Sequence, residues 1–137
     1  MTTKNISFQF GVACADITPP VGINMVGFAG RGPSIGIHDE LKIRALFMTD
    51  GSCNAALIAC DLIGLGEKVV SDIREEISKR VELSPENITI SCTHTHYGPD
   101  AYRNESADDV MSYQKVLKYK IAGAVFEASQ NTRPAKI

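Results

Sequence analysis

The sequence lacks the patterns by which membrane-spanning and exported proteins are recognised. No apolar run in its 137 residues approaches the ~20 that a helix needs to span a bilayer. The N-terminal residues, MTTKN, show no charged segment followed by an apolar one, so no signal peptide is indicated. We therefore predict a cytoplasmic protein without a transmembrane segment.

A large excess of charge of either sign is also missing. The formal net charge is −2, with 14 basic and 16 acidic residues interspersed along the chain. Basic residues do not alternate with aromatic ones, which is the arrangement typical of proteins that bind single-stranded nucleic acid. These absences argue against nucleic acid or an anionic membrane surface as a partner.

Several short motifs that identify other kinds of site are absent as well. There is no P-loop, no GxGxxG between a strand and a helix, and no GxSxG nucleophile elbow at such a junction to accompany the histidines. The four cysteines are widely spaced and form no CxxC, so neither a cysteine zinc site nor a redox pair is indicated. We expect buried, reduced thiols at positions 14, 53, 60 and 92.

What is present is an ordinary globular composition at the common size of one domain, with clear element patterns. The residue patterns predict strands at 8–17, 41–49, 54–62 and 87–92 and from 134 onward, and helices at 67–81 and 107–131. Asp50-Gly51 predicts a hairpin between the second and third strands. The continuous apolar run at 54–62 is typical of a strand buried on both faces.

The order of these elements predicts the fold class. From residue 54 onward, strands and helices alternate, which favours parallel strands joined by right-handed crossovers, and the hairpin adds an antiparallel partner. We therefore expect an α/β (α+β) fold with a mixed β-sheet, βαβ crossovers and helices packed on it. A strand that begins at residue 134 needs more sequence to cross the sheet. We expect residues 1–137 to be the N-terminal portion of a single longer domain, or one subunit of a site completed elsewhere, with self-association through the unfinished sheet edge.

The segment at 18–37 is rich in glycine and proline and is too long for a passive turn in a compact domain. Its length and composition leave two interpretations open: an ordered functional loop or a flexible lid.

Two histidines stand out at the end of a predicted strand. His94 and His96 are separated by one residue, and in extended backbone such positions point to the same face, so both imidazoles can address one point in space. Imidazole is the commonest neutral metal ligand, and ligands in open α/β sheets bind beyond the carboxyl ends of the strands. We favour a metal-binding pair, with Zn²⁺ as the metal, over two polar residues on an exposed loop.

Asp61 ends the neighbouring predicted strand and is a further candidate for the site. Its carboxylate is suited to orienting a ligating imidazole, binding a metal directly or accepting backbone amides of the Gly64–Gly66 turn, and a turn-forming aspartate is an equal alternative. His38 is more simply solvated or capped, and Asp16 is most simply a turn residue. Arg44 lies among apolar strand neighbours, so it either extends to solvent or pairs with a carboxylate.

Five blocks of sequence together resemble the neutral/alkaline (non-lysosomal) ceramidase family. The blocks occur in the family's order and cover most of the chain. They are GVACADITP (11–19), NMVGFA (24–29), GIHD leading into IRA (36–45), ACDL (59–62) and THTHYGP (93–99).

The resemblance implies a zinc-dependent amidohydrolase that cleaves the amide of ceramide, or of a related lipid or small amide. It implies that His94 ligates zinc and that His96 contacts the substrate or handles a proton, and we add Asp61 as a catalytic candidate. The family's other ligands (a second histidine, a glutamate and a tyrosine) and its serine match nothing in this chain. Catalytic zinc normally has three protein ligands, so we expect the chain alone to bind zinc weakly and to show no amidase activity.

One departure from the family keeps other functions open. Family members usually read Ser-Gly-Pro-Gly after the triplet, whereas this chain has Tyr97 and Asp100 at the first and last of these positions. The alternatives are a non-catalytic relative that binds a ligand or partner, and an esterase or amidase of the same fold that acts on something other than a sphingolipid.

Overall fold

A computed structural model describes residues 8–103 and 108–136, which form a five-stranded sheet, a two-stranded sheet and two long helices. The helices are α1 (Glu67–Ser78) and α2 (Asp108–Gln130), and a 3₁₀ turn, Pro85–Asn87, precedes the fifth strand. The strands are β1 (Gln9–Asp16), β2 (Met25–Val26), β3 (Lys42–Thr49), β4 (Asn54–Cys60), β5 (Ile88–Cys92), β6 (Gly98–Pro99) and β7 (Arg133–Pro134). The predicted α/β class with a mixed sheet is confirmed.

The large sheet has the order β5-β4-β3-β1-β7. Strands β4 and β5 are parallel and are joined through α1, as predicted, while the other neighbours are antiparallel. The second predicted parallel crossover is wrong, because β7 pairs antiparallel with Gln9 and Phe10 at the opposite edge. The 23-residue helix α2, about 34 Å long, packs on β1 and β3 and so carries the chain to the far side of β1.

The hairpin predicted at Asp50-Gly51 is confirmed, with a connection of residues 50–53 between the paired residues Thr49 and Asn54. Gly51 has a φ of 84°, which glycine adopts without the steric cost of a side chain. The Asp50 carboxylate accepts backbone N–H groups of Ser52 and Cys53 at 2.9 and 2.7 Å. This local network closes the turn and sets the antiparallel register of β3 and β4.

The core lies between one face of the large sheet and the two helices. Alternate residues of β3 and β4 point to this face, and the apolar stripes of α1 and α2 cover it. Removing this apolar surface from water is the main force that joins the two layers. The fully buried side chains include Ile43, Ile73, Ile77, Ile88, Leu117, Ile121 and Val125.

The opposite face of the sheet is open in the part of the chain that the structure describes. Val12 is 70% exposed and Leu57 is 45% exposed, although both are apolar strand residues. The prediction that residues 54–62 are buried on both faces is therefore wrong, because Leu57 is exposed between the buried residues Ala56 and Ile58. Both described long helices pack on one side, so the residues that alternate with the core positions face solvent.

The cysteines divide in the same way. Cys60 is buried and Cys92 is half-buried, as expected, and burial raises the pKa of the Cys60 thiol to about 12. Cys14 and Cys53 are exposed, so the prediction of burial is wrong for them. Cys14 alternates with core-facing residues of β1, and Cys53 lies in the hairpin turn.

Helix α1 ends at Ser78, three residues before its predicted end, because the N–H groups of Arg80 and Val81 both reach the carbonyl of Ile77. The predicted start of α2 at Ala107, the MTTKN terminus and Ile137 lie outside the described residues. Within the ranges that are described, no helix is long and apolar enough to cross a membrane.

The close packing of β1 on α2 depends on Gly11. A Cβ at this position would lie 1.8 Å from the backbone oxygen of Ala128, so even alanine forces strand and helix apart. We expect Gly11→Ala to lower the free energy of unfolding by about 1–3 kcal/mol, as measured by urea denaturation. The matched control is Gly123→Ala, where the added Cβ meets nothing within 4 Å. That control should be neutral or stabilising, since alanine favours a helix, and equal stability of the two variants would contradict the packing argument.

Candidate functional site

The candidate site lies where the parallel strands β4 and β5 end. Cys60 and Cys92 are register partners at these ends. Beyond them, the N–H of Thr93 donates to the carbonyl of Cys60 and the N–H of His94 donates to the carbonyl of Leu62, both at 3.0 Å. Residues 93–97, which we name the histidine segment, therefore lie beside the residues that follow β4, at the sheet edge where α/β folds bind ligands.

The two histidines reach a common space by a different route from the predicted one. Strand β5 ends at Cys92, and His94 has a φ of 62°, so the segment is not extended and the argument from strand alternation is wrong. The rings of His94 and His96 nevertheless lie together, with centroids 5.1 Å apart and planes at 62°. A left-handed residue, rather than a strand face, brings the imidazoles together.

The ring of His94 is held in a state suited to metal binding. Its Nδ1 lies 2.8 Å from the carbonyl oxygen of Ile63. A carbonyl only accepts hydrogen bonds, so we assign the ring proton to Nδ1, which leaves the lone pair of Nε2 free in the neutral imidazole. A backbone carbonyl on the second ring nitrogen is the usual way in which proteins orient a metal-ligating histidine.

Among residues 8–103 and 108–136, no three side chains of histidine, cysteine, aspartate or glutamate gather in a way that would hold a metal ion. Catalytic zinc normally has three protein ligands and an open position. His94 fits the role of one ligand, and the described residues supply only part of a coordination sphere. The assignment of zinc stays a prediction.

Asp61 lies at the end of β4 and its carboxylate faces β3. Its Oδ2 accepts the backbone N–H of Lys42 at 3.0 Å and a guanidinium N–H of Arg44 at 3.1 Å. The side chain is 20% exposed, whereas that of Arg44 is 58% exposed. The prediction that Arg44 pairs with a carboxylate is confirmed. These contacts give Asp61 a role in joining β3 to β4, and its catalytic role stays a prediction.

The two lesser candidates have local partners. The Asp16 carboxylate accepts the N–H and the hydroxyl of Thr18 at 2.8 and 2.5 Å, which confirms the predicted turn and lowers the pKa of Asp16. His38 has a 96% exposed side chain, and its Nδ1 lies 2.7 Å from Asp39. This hydrogen bond raises the pKa of His38. The interpretation of His38 as a solvated or capped residue is confirmed.

The glycine- and proline-rich segment at 18–37 is an ordered loop that reaches the histidine segment. Its β2 pairs with β6, with Val26 opposite Gly98 directly after the histidines. The Asp109 carboxylate at the start of α2 accepts the backbone N–H of Asn24 at 3.0 Å, and this bond holds the pKa of Asp109 below its usual range. Of the two interpretations left open by the sequence, the structure shows the ordered loop.

A cleft of about 730 Å³ separates this loop from the histidine segment. Its lining is largely apolar and includes Met25, Ile37, Leu41, Thr95 and Tyr97. Thr95 and Tyr97 flank His96 in the chain, so the cleft adjoins the histidine segment, although neither His94 nor His96 is among its lining residues. A volume of this size suits a small organic ligand.

Gly32-Pro33-Ser34-Ile35-Gly36 in the long loop spells GxSxG, yet Ser34 does not form a nucleophile elbow. The segment lies in a loop rather than between a strand and a helix. The Ser34 hydroxyl accepts the N–H of Gly22 at 2.9 Å, and its own N–H donates to the carbonyl of Ile23. Ser34 therefore closes the loop on itself.

Three residues of the long loop contact the histidine segment and were not singled out from the sequence. Gly27, with φ of 117°, lies so close that a Cβ would be 2.6 Å from the Cβ of His96. The Phe28 ring packs edge-on against the His96 ring, with centroids 5.3 Å apart. A guanidinium N–H of Arg31 donates a hydrogen bond to the backbone carbonyl of His96. The only signal was the presence of Gly27 and Phe28 in one of the family-like blocks, because nothing local in the sequence pairs this loop with residue 96.

The sequence matches one known family, described as neutral/alkaline non-lysosomal ceramidase, N-terminal, over residues 8–137. A neutral ceramidase of Drosophila pseudoobscura pseudoobscura is 33% identical over 107 residues, which cover 70% of this chain and 14% of that protein. Neutral ceramidase 3 of Arabidopsis thaliana is 29% identical over 141 residues, which cover 95% of this chain and 19% of that protein. The chain thus spans less than a fifth of these two relatives.

The fold agrees with that of a solved structure. The crystal structure of neutral ceramidase from Pseudomonas aeruginosa superposes with a TM-score of 0.79 at 19% identity, over 96% of this chain and 23% of that one. At this identity the superposition shows the fold alone.

The contacts of Asp61 lead to a prediction that separates a structural role from a purely catalytic one. Because its carboxylate satisfies a backbone N–H and a guanidinium, we expect Asp61→Ala to cost about 1–3 kcal/mol of unfolding free energy in urea denaturation. The matched control is Asp39→Ala, whose exposed partner His38 is only one residue away, and it should change stability little. An Asp61→Ala protein as stable as the wild type would show that these contacts do not support the sheet.

Proposed function

We propose that this chain, which belongs to the neutral/alkaline non-lysosomal ceramidase family, supplies part of the active site of a zinc-dependent amidohydrolase. Family membership supports a hydrolase function of the ceramidase type. The zinc, the roles of individual residues and the bond that is cleaved are the finer parts of the proposal.

The observation that carries the proposal is the state of His94. Its Nδ1 is engaged by the Ile63 carbonyl, no hydrogen bond joins its Nε2 to a residue that the structure describes, and the centroid of the His96 ring lies 5.1 Å from its own. The left-handed backbone of His94 is uncommon outside glycine and costs free energy, and residues held in this conformation cluster at active and ligand-binding sites. The geometry therefore supports His94 as a metal ligand.

We assign the residues of the site as follows. His94 holds zinc through Nε2, and zinc, when bound, supplies a Lewis acid that polarises an amide carbonyl. His96 lies next to this position, where an imidazole is suited to contact the substrate or to give and accept a proton near neutral pH. Asp61 has a structural part in this proposal: it fixes the end of β4 against β3. The Ile63 carbonyl that contacts His94 lies two residues further along the chain.

The substrate that we propose is a lipid amide, ceramide or a related compound. The proteins that match this chain are named neutral ceramidases, and the cleft lined by Thr95 and Tyr97 is largely apolar and has room for part of such a molecule. Tyr97 borders the cleft and is 64% exposed. Because the family usually has serine at this position, the larger ring favours a related amide over ceramide itself.

Zinc binding is the first test of the proposal. With zinc alone as the probe, we expect the chain to bind weakly, because the described residues offer two imidazoles at most. His94→Asn should lower the affinity by at least about tenfold, as measured by isothermal titration calorimetry. Asparagine is the suitable replacement because it accepts a left-handed backbone but does not supply an imidazole.

The matched control is His38→Asn, which removes an exposed histidine that lines the cleft but pairs with Asp39 rather than with the His94 and His96 rings. Its zinc affinity should equal that of the wild type. Equal affinities for the His94 variant and the wild type would refute the ligand assignment.

Hydrolysis is tested in a chimera, because this chain spans 23% of the solved ceramidase and, on the proposal, lacks the other ligands. In the chimera, residues 8–137 replace the matching segment of the Pseudomonas aeruginosa enzyme. We expect it to release fatty acid from a short-chain ceramide, and His94→Asn to abolish this release. The isolated chain with zinc should give no release above background.

Two outcomes would contradict the proposal. Release by the isolated chain would show that the site is complete without further ligands. A chimera that is folded and binds zinc but hydrolyses neither ceramide nor simpler N-acyl amides would favour the alternative of a non-catalytic, ligand-binding relative.

A further inference from the structure

His96 is enclosed by a short segment of the long loop, residues 27–31, which we name the loop bracket. Gly27 lies against the backbone side of His96, where any side chain would collide with its Cα, Cβ and Cγ at 2.6–2.9 Å. The Phe28 ring lies edge-on against the imidazole at 5.3 Å. The imidazole ring is thus confined from two directions by consecutive residues.

Arg31 closes the bracket from a third direction. Its Nη1 donates to the backbone carbonyl of His96 at 2.6 Å. The guanidinium lies 4.4 Å from the centroid of the Tyr97 ring and 5.4 Å from that of Phe28. A charge-assisted hydrogen bond combined with two cation–π contacts fixes a planar group more firmly than either alone. The Arg31 side chain therefore contacts the carbonyl of His96, the Phe28 ring and the Tyr97 ring at once.

His94 is held by different parts of the chain. Its N–H donates to Leu62 and its Nδ1 contacts the carbonyl of Ile63, both of which follow β4. These two contacts explain the orientation of the His94 ring without the loop bracket. The two imidazoles, although neighbours, are therefore positioned by separate elements.

We propose that Arg31 is a positioning residue for His96. Arg31 acts through the His96 carbonyl and the Phe28 and Tyr97 rings, and it does not determine the position of the His94 ring. The consequence for catalysis rests on the proposed function, in which His96 contacts the substrate. Arg31 also lines the cleft of about 730 Å³. A guanidinium has five N–H donors, so those not used by His96 are available to a polar group of a bound amide.

The test compares the two histidine rings in one molecule. The full chain is labelled with ¹³C,¹⁵N-histidine, and ring correlations and ring–ring NOEs are recorded at one fixed pH without zinc or substrate. In Arg31→Met, which keeps bulk but removes the donor and the charge, we expect the Phe28–His96 NOE to be lost and the His96 ring signals to move. The His94 ring signals should move less than those of His96, because His94 Nδ1 stays bonded to the Ile63 carbonyl and its ring senses only the changed ring current of its neighbour 5.1 Å away.

Two further variants keep the result interpretable. Arg31→Lys retains a donor for the carbonyl but not the planar stacking, so the His96 signals should move less than in the methionine variant. If Arg31→Met does not fold, the lysine variant decides alone by the same criterion, namely that the His96 signals move more than those of His94. Arg80→Met removes an arginine that pairs with Glu76 on α1 and should leave both histidines unchanged.

Unchanged His96 signals in the Arg31 variants would overturn the proposal, and so would equal movement of both histidines, which indicates general loosening. Because neither zinc nor hydrolysis enters the measurement, failure here is distinguishable from failure of the proposed function. In the active chimera, a positioning role predicts that Arg31→Met lowers kcat while zinc affinity is unchanged.

Discussion

The parallel pairing of β4 with β5 is the constraint on which the candidate site depends. Because Cys60 and Cys92 are opposite one another, the two segments that leave the sheet continue side by side and hydrogen-bond to each other. The Ile63 carbonyl is thereby placed against the ring of His94. The core beneath, formed by the helices on one sheet face, keeps both strand ends in place, so burial far from the histidines determines their geometry.

The long loop adds what the sheet cannot provide. The strand ends hold His94, but His96 lies farther along the chain and depends on a segment more than sixty residues upstream. That segment is itself fixed by β2–β6 pairing and by the Asp109 carboxylate at the start of α2. A functional loop tied at several points by backbone hydrogen bonds keeps a side chain in place without requiring a strand. In the candidate site, the strand ends therefore position His94 and the long loop positions His96.

Much of the fold follows from local patterns, and the failures have physical causes. Helical spacing predicted α1 and α2, and Asp50-Gly51 predicted the hairpin, because periodicity and turn chemistry are local properties. The pairing of β7 with β1 is set by the path of α2 over the sheet, which no local pattern contains. The sequence indicated His94 and His96 as a candidate pair because they follow a strand, but the prediction of an extended segment was wrong, since the neighbouring residues do not determine a left-handed backbone. Arg31 was missed for a similar reason, since its partner is sixty-five residues away in sequence.

The left-handed backbone of His94 has a consequence for the history of this sequence family. If His94 ligates a metal as proposed, position 94 is constrained twice, once by metal binding and once by conformation, and few residues satisfy the second constraint besides glycine, asparagine and aspartate. A descendant that abandons metal binding is therefore expected to drift toward those residues rather than toward alanine, valine or leucine. The residue at position 94 in related chains would then distinguish lineages that kept the metal ligand from lineages that kept only the left-handed backbone.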